Sequence, residues 1–135
     1  MESNITIVPT YAALLGIIFF IVSIRIVRLR RSLKIGIGDN NDPIMLRAMR
    51  VQSNFAEYVP LCLILLGFAE LQGTLPAILH LLSIGLLLGR ILHAYGVSQT
   101  KENFRFRVSG MALTFTCLLS TCATLIFNFL RNSGI

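Results

Sequence analysis

The residues best suited to chemistry lie in one stretch of the chain, between Arg47 and Pro60. On a helix at roughly 100° per residue, the polar side chains of this stretch fall within a sector of about 100°. These side chains belong to Arg47, Arg50, Asn54, Glu57 and Tyr58. The stripe is about 15 Å long, and it leads directly into the apolar run 61–69. Because ionisable groups at membrane depth are costly and tend to be functional, we expect this stripe to line a site.

The residue types of the stripe suit a small anion that carries several carboxylates and one amine. Arginine binds carboxylates through two parallel hydrogen bonds, a carboxylate such as Glu57 accepts from an ammonium group, and Asn54 can both donate and accept. Further polar residues lie at the same end of the other apolar segments and could complete the site: Arg28, Arg30, Arg90, His93, Tyr95, Arg105 and Arg107. The alternative is that Glu57 pairs with Arg50 or Arg90 and that the stripe only holds the helices together.

The elements that must position these residues are membrane-spanning helices. The 135 residues are 55% hydrophobic and only 13% charged, whereas soluble domains carry about 25% charged residues. The length allows about four spans with short connections and no separate soluble domain. We therefore predict an all-α membrane protein, a four-transmembrane-helix bundle that forms a single domain over residues 1–135. The predicted spans are about 5–27, 43–71, 75–97 and 104–130.

The second predicted span has clear signals at both ends. Asp42 and Pro43 are suited to the N-cap and first position of a helix, and Gly73 is suited to its C-terminal cap. Pro60 lies inside the span and predicts a kink. Glu70 lies near the opposite end from the stripe, and we expect its carboxylate to reach the water.

The positive charge of the chain predicts its orientation rather than a nucleic-acid partner. Eleven of the twelve Lys and Arg residues lie near the first or third connection, which places both connections in the cytoplasm and both termini on the other side. The lipid bilayer is therefore the expected partner, and no nucleic-acid recognition module is evident. Cys62, Cys117 and Cys122 lie in apolar runs, so we expect them to pack as small hydrophobic residues. No metal-ligand spacing is evident, and no metal is predicted.

The residues from Arg47 to Pro60 follow the pattern Arg-x-x-Arg-x-Gln-x-Asn-x-x-Glu-Tyr-x-Pro. This pattern closely resembles the signature of the MAPEG family, the membrane-associated proteins in eicosanoid and glutathione metabolism, in the form found in its leukotriene synthase branch. The rest of the chain agrees with the resemblance: four spans, a basic first loop with Gly-x-Gly-Asp, Arg-x-x-His on span three and arginines at the start of span four.

The resemblance implies a homotrimer that binds glutathione as a co-substrate between neighbouring subunits at the cytosolic end. It implies that Arg50, Asn54, Glu57 and Tyr58 hold glutathione, completed by Arg28 or Arg30, Arg90 and His93, with Arg47 at the aqueous lip of the pocket. Gln52 points away from this group, and we expect it to meet a neighbouring subunit. Catalytic members of the family place an arginine of span four beside the thiol. Arg107 aligns with it, and Arg105, about 160° away on the helix, is the competitor.

Two functions follow from the resemblance. The first is a glutathione transferase or peroxidase that acts on a small lipophilic electrophile or hydroperoxide. The second is a non-catalytic glutathione- or lipid-binding accessory protein. The second is favoured by Val97, which stands where relatives carry a tyrosine; Tyr95 is close in sequence but lies about 160° away on the helix. The short loops favour a bacterial inner membrane over an endoplasmic reticulum membrane.

Overall fold

The structure is a computed structural model that describes residues 5–133. It contains four helices in chain order: α1 (Ile7–Leu33), α2 (Pro43–Leu71), α3 (Pro76–Ser98) and α4 (Phe104–Asn132). Each helix is long and apolar enough to cross a membrane. The all-helical, four-span prediction is therefore confirmed, and the bounds of α2 are those predicted.

Helix α1 is longer than predicted. The basic segment after residue 27 continues the helix to Leu33, because arginine and leucine are good helix formers and do not end a helix by themselves. The helix ends where Lys34 adopts a left-handed conformation, with φ of 55°, and its backbone N–H donates to the carbonyl of Arg30. The basic residues of α1 are therefore fixed in direction by a helix and do not lie in a loop.

The ends of α2 follow the sequence signals. The Asp42 side chain accepts hydrogen bonds from the backbone N–H groups of Ile44 and Met45, at 2.9 and 2.8 Å. At the other end Gly73 adopts a φ of +74°, a conformation that glycine reaches without the steric cost of a Cβ atom. The helix runs through Pro60 without a break. The polar stripe and the apolar run therefore belong to one continuous helix.

Helices α2 and α3 form the centre of the bundle. Each contacts the other three helices, whereas α1 and α4 do not contact each other within residues 5–133. The main core joins Leu15, Phe55, Leu66, Leu86 and Cys117. Large apolar side chains also cover the outside of the bundle, among them Phe20, Leu81, Leu119 and Phe127, each more than 60% exposed. This outer surface is suited to contact with lipid chains or with other apolar helices.

Helices α3 and α4 approach each other closely through glycines. A Cβ atom at Gly110 would lie 2.6 Å from the backbone nitrogen of His93 and 2.7 Å from the carbonyl oxygen of Gly89. Small residues at such contacts let helix backbones meet in a membrane, where packing rather than the hydrophobic effect drives association. Since His93 lies on α3 and Arg107 on α4, this contact sets the distance between two predicted site residues.

Glu70 corrects an expectation from the sequence. Its carboxylate does not simply reach the water, but accepts three hydrogen bonds from the first N–H groups of α1, at Thr6, Ile7 and Val8, with distances of 2.7–2.9 Å. The first N–H groups of a helix have no partner within the helix, and a negative charge there is favourable. Glu70 therefore fastens the start of α1 to the end of α2.

We predict that Gly110→Ala separates α3 from α4, because the added methyl group meets backbone atoms that cannot move independently. The expected loss is about 1–3 kcal/mol of stability, measured as thermal unfolding in detergent by circular dichroism. Gly85→Ala is the matched control, since a Cβ atom there meets nothing within 4 Å. Equal melting temperatures for the two variants would contradict the close contact.

We predict that Glu70→Ala lowers stability by about 0.5–2 kcal/mol, the range measured for loss of a helix N-cap. The physical reason is that three N–H groups at the start of α1 lose their acceptor. Thermal unfolding measures the effect, and Gln72→Ala, two residues away on an exposed position, is the control. A Glu70→Ala variant as stable as the control would show that water replaces the carboxylate without cost.

Candidate functional site

A cleft opens where the first half of α2 meets the end of α3 and the start of α4. Its volume is about 570 Å³, within the range of about 300–1,000 Å³ typical of small-molecule sites. Its walls are formed by Pro43, Leu46, Arg47, Arg50, Ser53, Asn54, Glu57, His93, Val97, Glu102 and Arg107. The cleft lies at the end of the bundle that carries the first and third connections, as predicted for the site.

The α2 wall of the cleft carries four of the five residues of the predicted polar stripe. Arg47, Arg50, Asn54 and Glu57 all line it, as the helical spacing requires. Arg50 and Glu57 are exposed on the surface of the chain, and within residues 5–133 neither forms a salt bridge. The alternative in which Glu57 pairs with Arg50 or Arg90 within the chain is therefore wrong. The cleft therefore presents one cation, Arg50, and one carboxylate, Glu57, that form no ion pair within these residues and can contact a ligand.

Arg90 lies on the side of the stripe that faces away from the cleft, and it contacts the stripe through Asn54. It is 1% exposed and does not line the cleft. One of its terminal nitrogens donates to the Asn54 side-chain oxygen at 2.7 Å, and the other donates to the Met111 sulfur at 3.3 Å. Arg90 therefore holds the side chain of Asn54, a residue of the cleft wall, in place. His93, one turn further along α3, is 5% exposed and forms part of the cleft wall.

A carboxylate that the sequence reasoning missed lies at the cleft, in the connection between α3 and α4. One oxygen of Glu102 accepts from Arg47 at 3.1 Å, and the other accepts from Arg107 at 3.3 Å. The hydrogen bond from Arg47 is the main cause that lowers the pKa of Glu102, and Arg107 adds to it. Glu102 is the only acidic residue in the 99–103 connection, a signal that could have singled it out.

Several predicted site residues lie outside the cleft. The Tyr58 ring packs edge-on against Phe115 of α4, with ring centroids 5.5 Å apart. Arg28 lies in a separate groove on the outer side of α1. Arg30 donates to the carbonyl oxygens of Gly36 and Gly38, each at 3.2 Å, so it fastens the first connection. The fold of the chain therefore does not bring these three side chains into the cleft.

The structure separates the two arginines of α4. Arg107 lines the cleft, whereas Arg105 does not. Tyr95, the other aromatic candidate, is 53% exposed and packs edge-on against Phe106, away from the cleft. Helix packing thus favours Arg107 over Arg105 as the α4 residue that faces the cleft, and it places Tyr95 outside the cleft.

Gln52 contacts α1 of its own chain. Its side-chain amide donates to the Ser23 hydroxyl at 2.9 Å. A neighbouring subunit, which the sequence led us to expect at this position, is therefore not needed to satisfy this donor. The contact joins the back of the polar stripe to α1.

The arrangement defines a class of protein: a four-helix integral membrane protein with a polar, arginine-lined cleft at one end. Three arginines line the cleft, and a glutamate that makes no salt bridge within residues 5–133 faces the same space. Within the described residues, no three His, Cys, Asp or Glu side chains are grouped closely enough to hold a metal ion. Such a site is suited to binding an organic anion through charge-assisted hydrogen bonds.

The chain belongs to the MAPEG family, whose model matches residues 8–127. It is also similar to the inner membrane protein YecN of Escherichia coli strain K12, with 35% identity over 109 residues. The aligned region covers 81% of this chain and 82% of that relative. The YecN protein of Escherichia coli O6:H1 strain CFT073 matches with the same identity and coverage.

We predict that the contribution of Glu102 to stability depends on pH. Because the folded-state pKa of Glu102 is lowered below 4.5, its ion pairs stabilise the protein at neutral pH. This stability is lost as the pH falls through the lowered pKa. Melting temperatures of wild type and Glu102→Gln should therefore differ slightly at pH 7 and converge in acid. A difference that persists in acid would mean that packing, and not charge, is responsible.

Proposed function

We propose that this protein is a membrane-embedded, glutathione-dependent transferase or peroxidase that acts on lipophilic electrophiles or hydroperoxides. The observation that carries the proposal is that Arg107 of α4 faces the same cleft as the polar stripe of α2. Membership of the MAPEG family supports it.

The charges of the cleft match those of glutathione. Glutathione has two carboxylates, one ammonium group, two amides and a thiol. Arg47 and Arg50 supply cations for the carboxylates, and Glu57 supplies an anion for the ammonium. Asn54, oriented by Arg90, can bond an amide with its free donor.

In the proposal Arg107 stabilises the thiolate. A thiol with a pKa of about 8.5 is mostly protonated at pH 7. Lowering this pKa by two units requires about 2.7 kcal/mol. One charge-assisted hydrogen bond supplies about 1.5–3 kcal/mol, so a single arginine is sufficient.

Both reactions begin at the thiolate sulfur. With an aryl halide, the sulfur forms a carbon–sulfur bond and the halide leaves with its electron pair. With a hydroperoxide, the sulfur attacks the terminal oxygen, the O–O bond breaks and an alcohol is released. A second glutathione then converts the sulfenic acid to glutathione disulfide and water. The protein's contribution is to hold the thiol deprotonated beside the bilayer, where lipophilic substrates are concentrated.

The proposal includes a homotrimer in a bacterial inner membrane, with both termini outside the cytoplasm. A neighbouring subunit would cover the exposed charges of Arg50 and Glu57 and could bring Arg28 of a second chain toward the cleft. The name of the relative YecN as an inner membrane protein supports the location, and the concentration of Lys and Arg near the first and third connections supports the orientation.

A non-catalytic glutathione- or lipid-binding protein is the second candidate. The observation in its favour is Val97, which lines the cleft and brings an apolar side chain without a hydroxyl. Turnover of chlorodinitrobenzene with glutathione separates the two candidates. Binding of glutathione without turnover would favour the second.

We predict that Arg107→Ala lowers the thiolate fraction of bound glutathione at pH 7 by at least about tenfold, since the pKa of the thiol returns toward 8.5. The ultraviolet absorbance of the thiolate measures this fraction. Arg105→Ala is the matched control, because it removes the same charge two residues away, outside the cleft. If both variants retain the wild-type absorbance, Arg107 does not stabilise the thiolate.

A further inference from the structure

The Glu102 carboxylate divides its two oxygens between two helices. Oε2 accepts from Arg47 of α2 at 3.1 Å, and Oε1 accepts from Arg107 of α4 at 3.3 Å. Only 11% of the Glu102 side chain is exposed. These are the two salt bridges found within residues 5–133. An internal carboxylate therefore contacts the α4 arginine of the cleft.

The two arginines hold Glu102 unequally. Arg47 also donates to the carbonyl oxygen of Val97 at 3.1 Å, so two acceptors fix its guanidinium against the end of α3. Arg107 is 51% exposed, and within the described residues its side chain donates only to Glu102. Glu102 is thus anchored on the Arg47 side, and Arg107 is the partner that can turn away.

We propose that Glu102 is an internal competitor for Arg107, which exchanges this carboxylate for the anionic sulfur of the ligand. This inference rests on the proposed function, because the exchange needs a ligand that places an anion at Arg107. Glu102 acts through Arg107 and is a positioning residue. While Arg47 retains the carboxylate, Arg107 can rotate to the ligand without leaving Glu102 unpaired.

The exchange occurs only with a ligand whose sulfur carries a charge, and Glu102 opposes binding of that charge because it contacts the same arginine. A neutral sulfur substituent cannot replace the ion pair between Arg107 and Glu102, whereas a thiolate or sulfonate can form a new ion pair with Arg107. Removing the negative charge of Glu102 should therefore strengthen binding of an anionic ligand more than binding of its neutral analogue.

The test is calorimetric titration of the full-length protein in detergent with glutathione sulfonate, an anionic mimic of the thiolate, and with S-methylglutathione, its neutral counterpart. For Glu102→Gln we expect the affinity for the sulfonate to rise about threefold to tenfold, a modest factor because Arg107 is half-exposed and water screens its charge. The affinity for S-methylglutathione should rise less, so the ratio of the two affinities increases.

The control is Asp39→Asn. It removes the same charge from the first connection, on the same side of the membrane, and Asp39 does not line the cleft. We expect its affinity ratio to equal that of the wild type. Glu102→Asp is a second variant for the case that Glu102→Gln does not fold. It keeps the charge but is one methylene shorter, so it should weaken the ion pair with Arg107. The ratio of the sulfonate affinity to the S-methylglutathione affinity should then rise by a smaller factor than in Glu102→Gln.

The outcomes distinguish the inference from the proposed function. A raised ratio in Glu102→Gln, or in Glu102→Asp if only that variant folds, supports the exchange. If the wild type binds both ligands and the ratio is unchanged or lower, the exchange is wrong and the glutathione site stands. If neither ligand binds the wild type or the variants at millimolar concentration, the proposed function fails and the exchange fails with it.

Discussion

Charged side chains are costly in a hydrocarbon environment, and the structure depends on how the bundle shelters them. Arg90 is the most demanding case, because its guanidinium is buried within the bundle. Asn54 of α2 and Met111 of α4 satisfy its terminal nitrogens, so one side chain of α3 ties together the three helices that form the cleft. The bond from Arg90 engages the side-chain oxygen of Asn54, a residue of the cleft wall, and holds that side chain in place. The contacts of this buried arginine therefore also position a residue of the cleft wall, while its Nε has no hydrogen-bond partner within the described residues.

The close contact between α3 and α4 converts this arrangement into a defined cleft. Gly89 and Gly110 allow the two backbones to meet, which fixes the rotation of α4 relative to α3. With that rotation Arg107 faces the polar stripe and Arg105 does not. The cleft thus depends on two kinds of contact, buried polar bonds and backbone packing. The first holds Asn54 in the polar stripe of α2, and the second brings the α4 arginine to the same cleft.

The fold and the α2 half of the site could be predicted from the sequence because both depend on helical spacing. Arg47, Arg50, Asn54 and Glu57 share a face whatever the helix packs against. The remaining residues depend on tertiary structure. Periodicity shows that Arg105 and Arg107 point apart, but only packing decides which one faces the cleft. Glu102 lies in a connection without periodicity, so its contacts with two helices could not be predicted from spacing. Arg30 shows the reverse error: the sequence predicts it as a site residue, but in the structure it hydrogen-bonds to the first connection.

The central claim is that the cleft between α2, α3 and α4 binds glutathione with its sulfur beside Arg107. A structure of the protein determined with millimolar glutathione in a lipid environment tests this claim most directly. The account predicts glutathione in the cleft, with a carboxylate at Arg50, its ammonium group at Glu57 and its sulfur within hydrogen-bond distance of Arg107. Glutathione bound elsewhere, a sulfur turned away from Arg107, or a cleft that does not bind glutathione at that concentration would contradict the account.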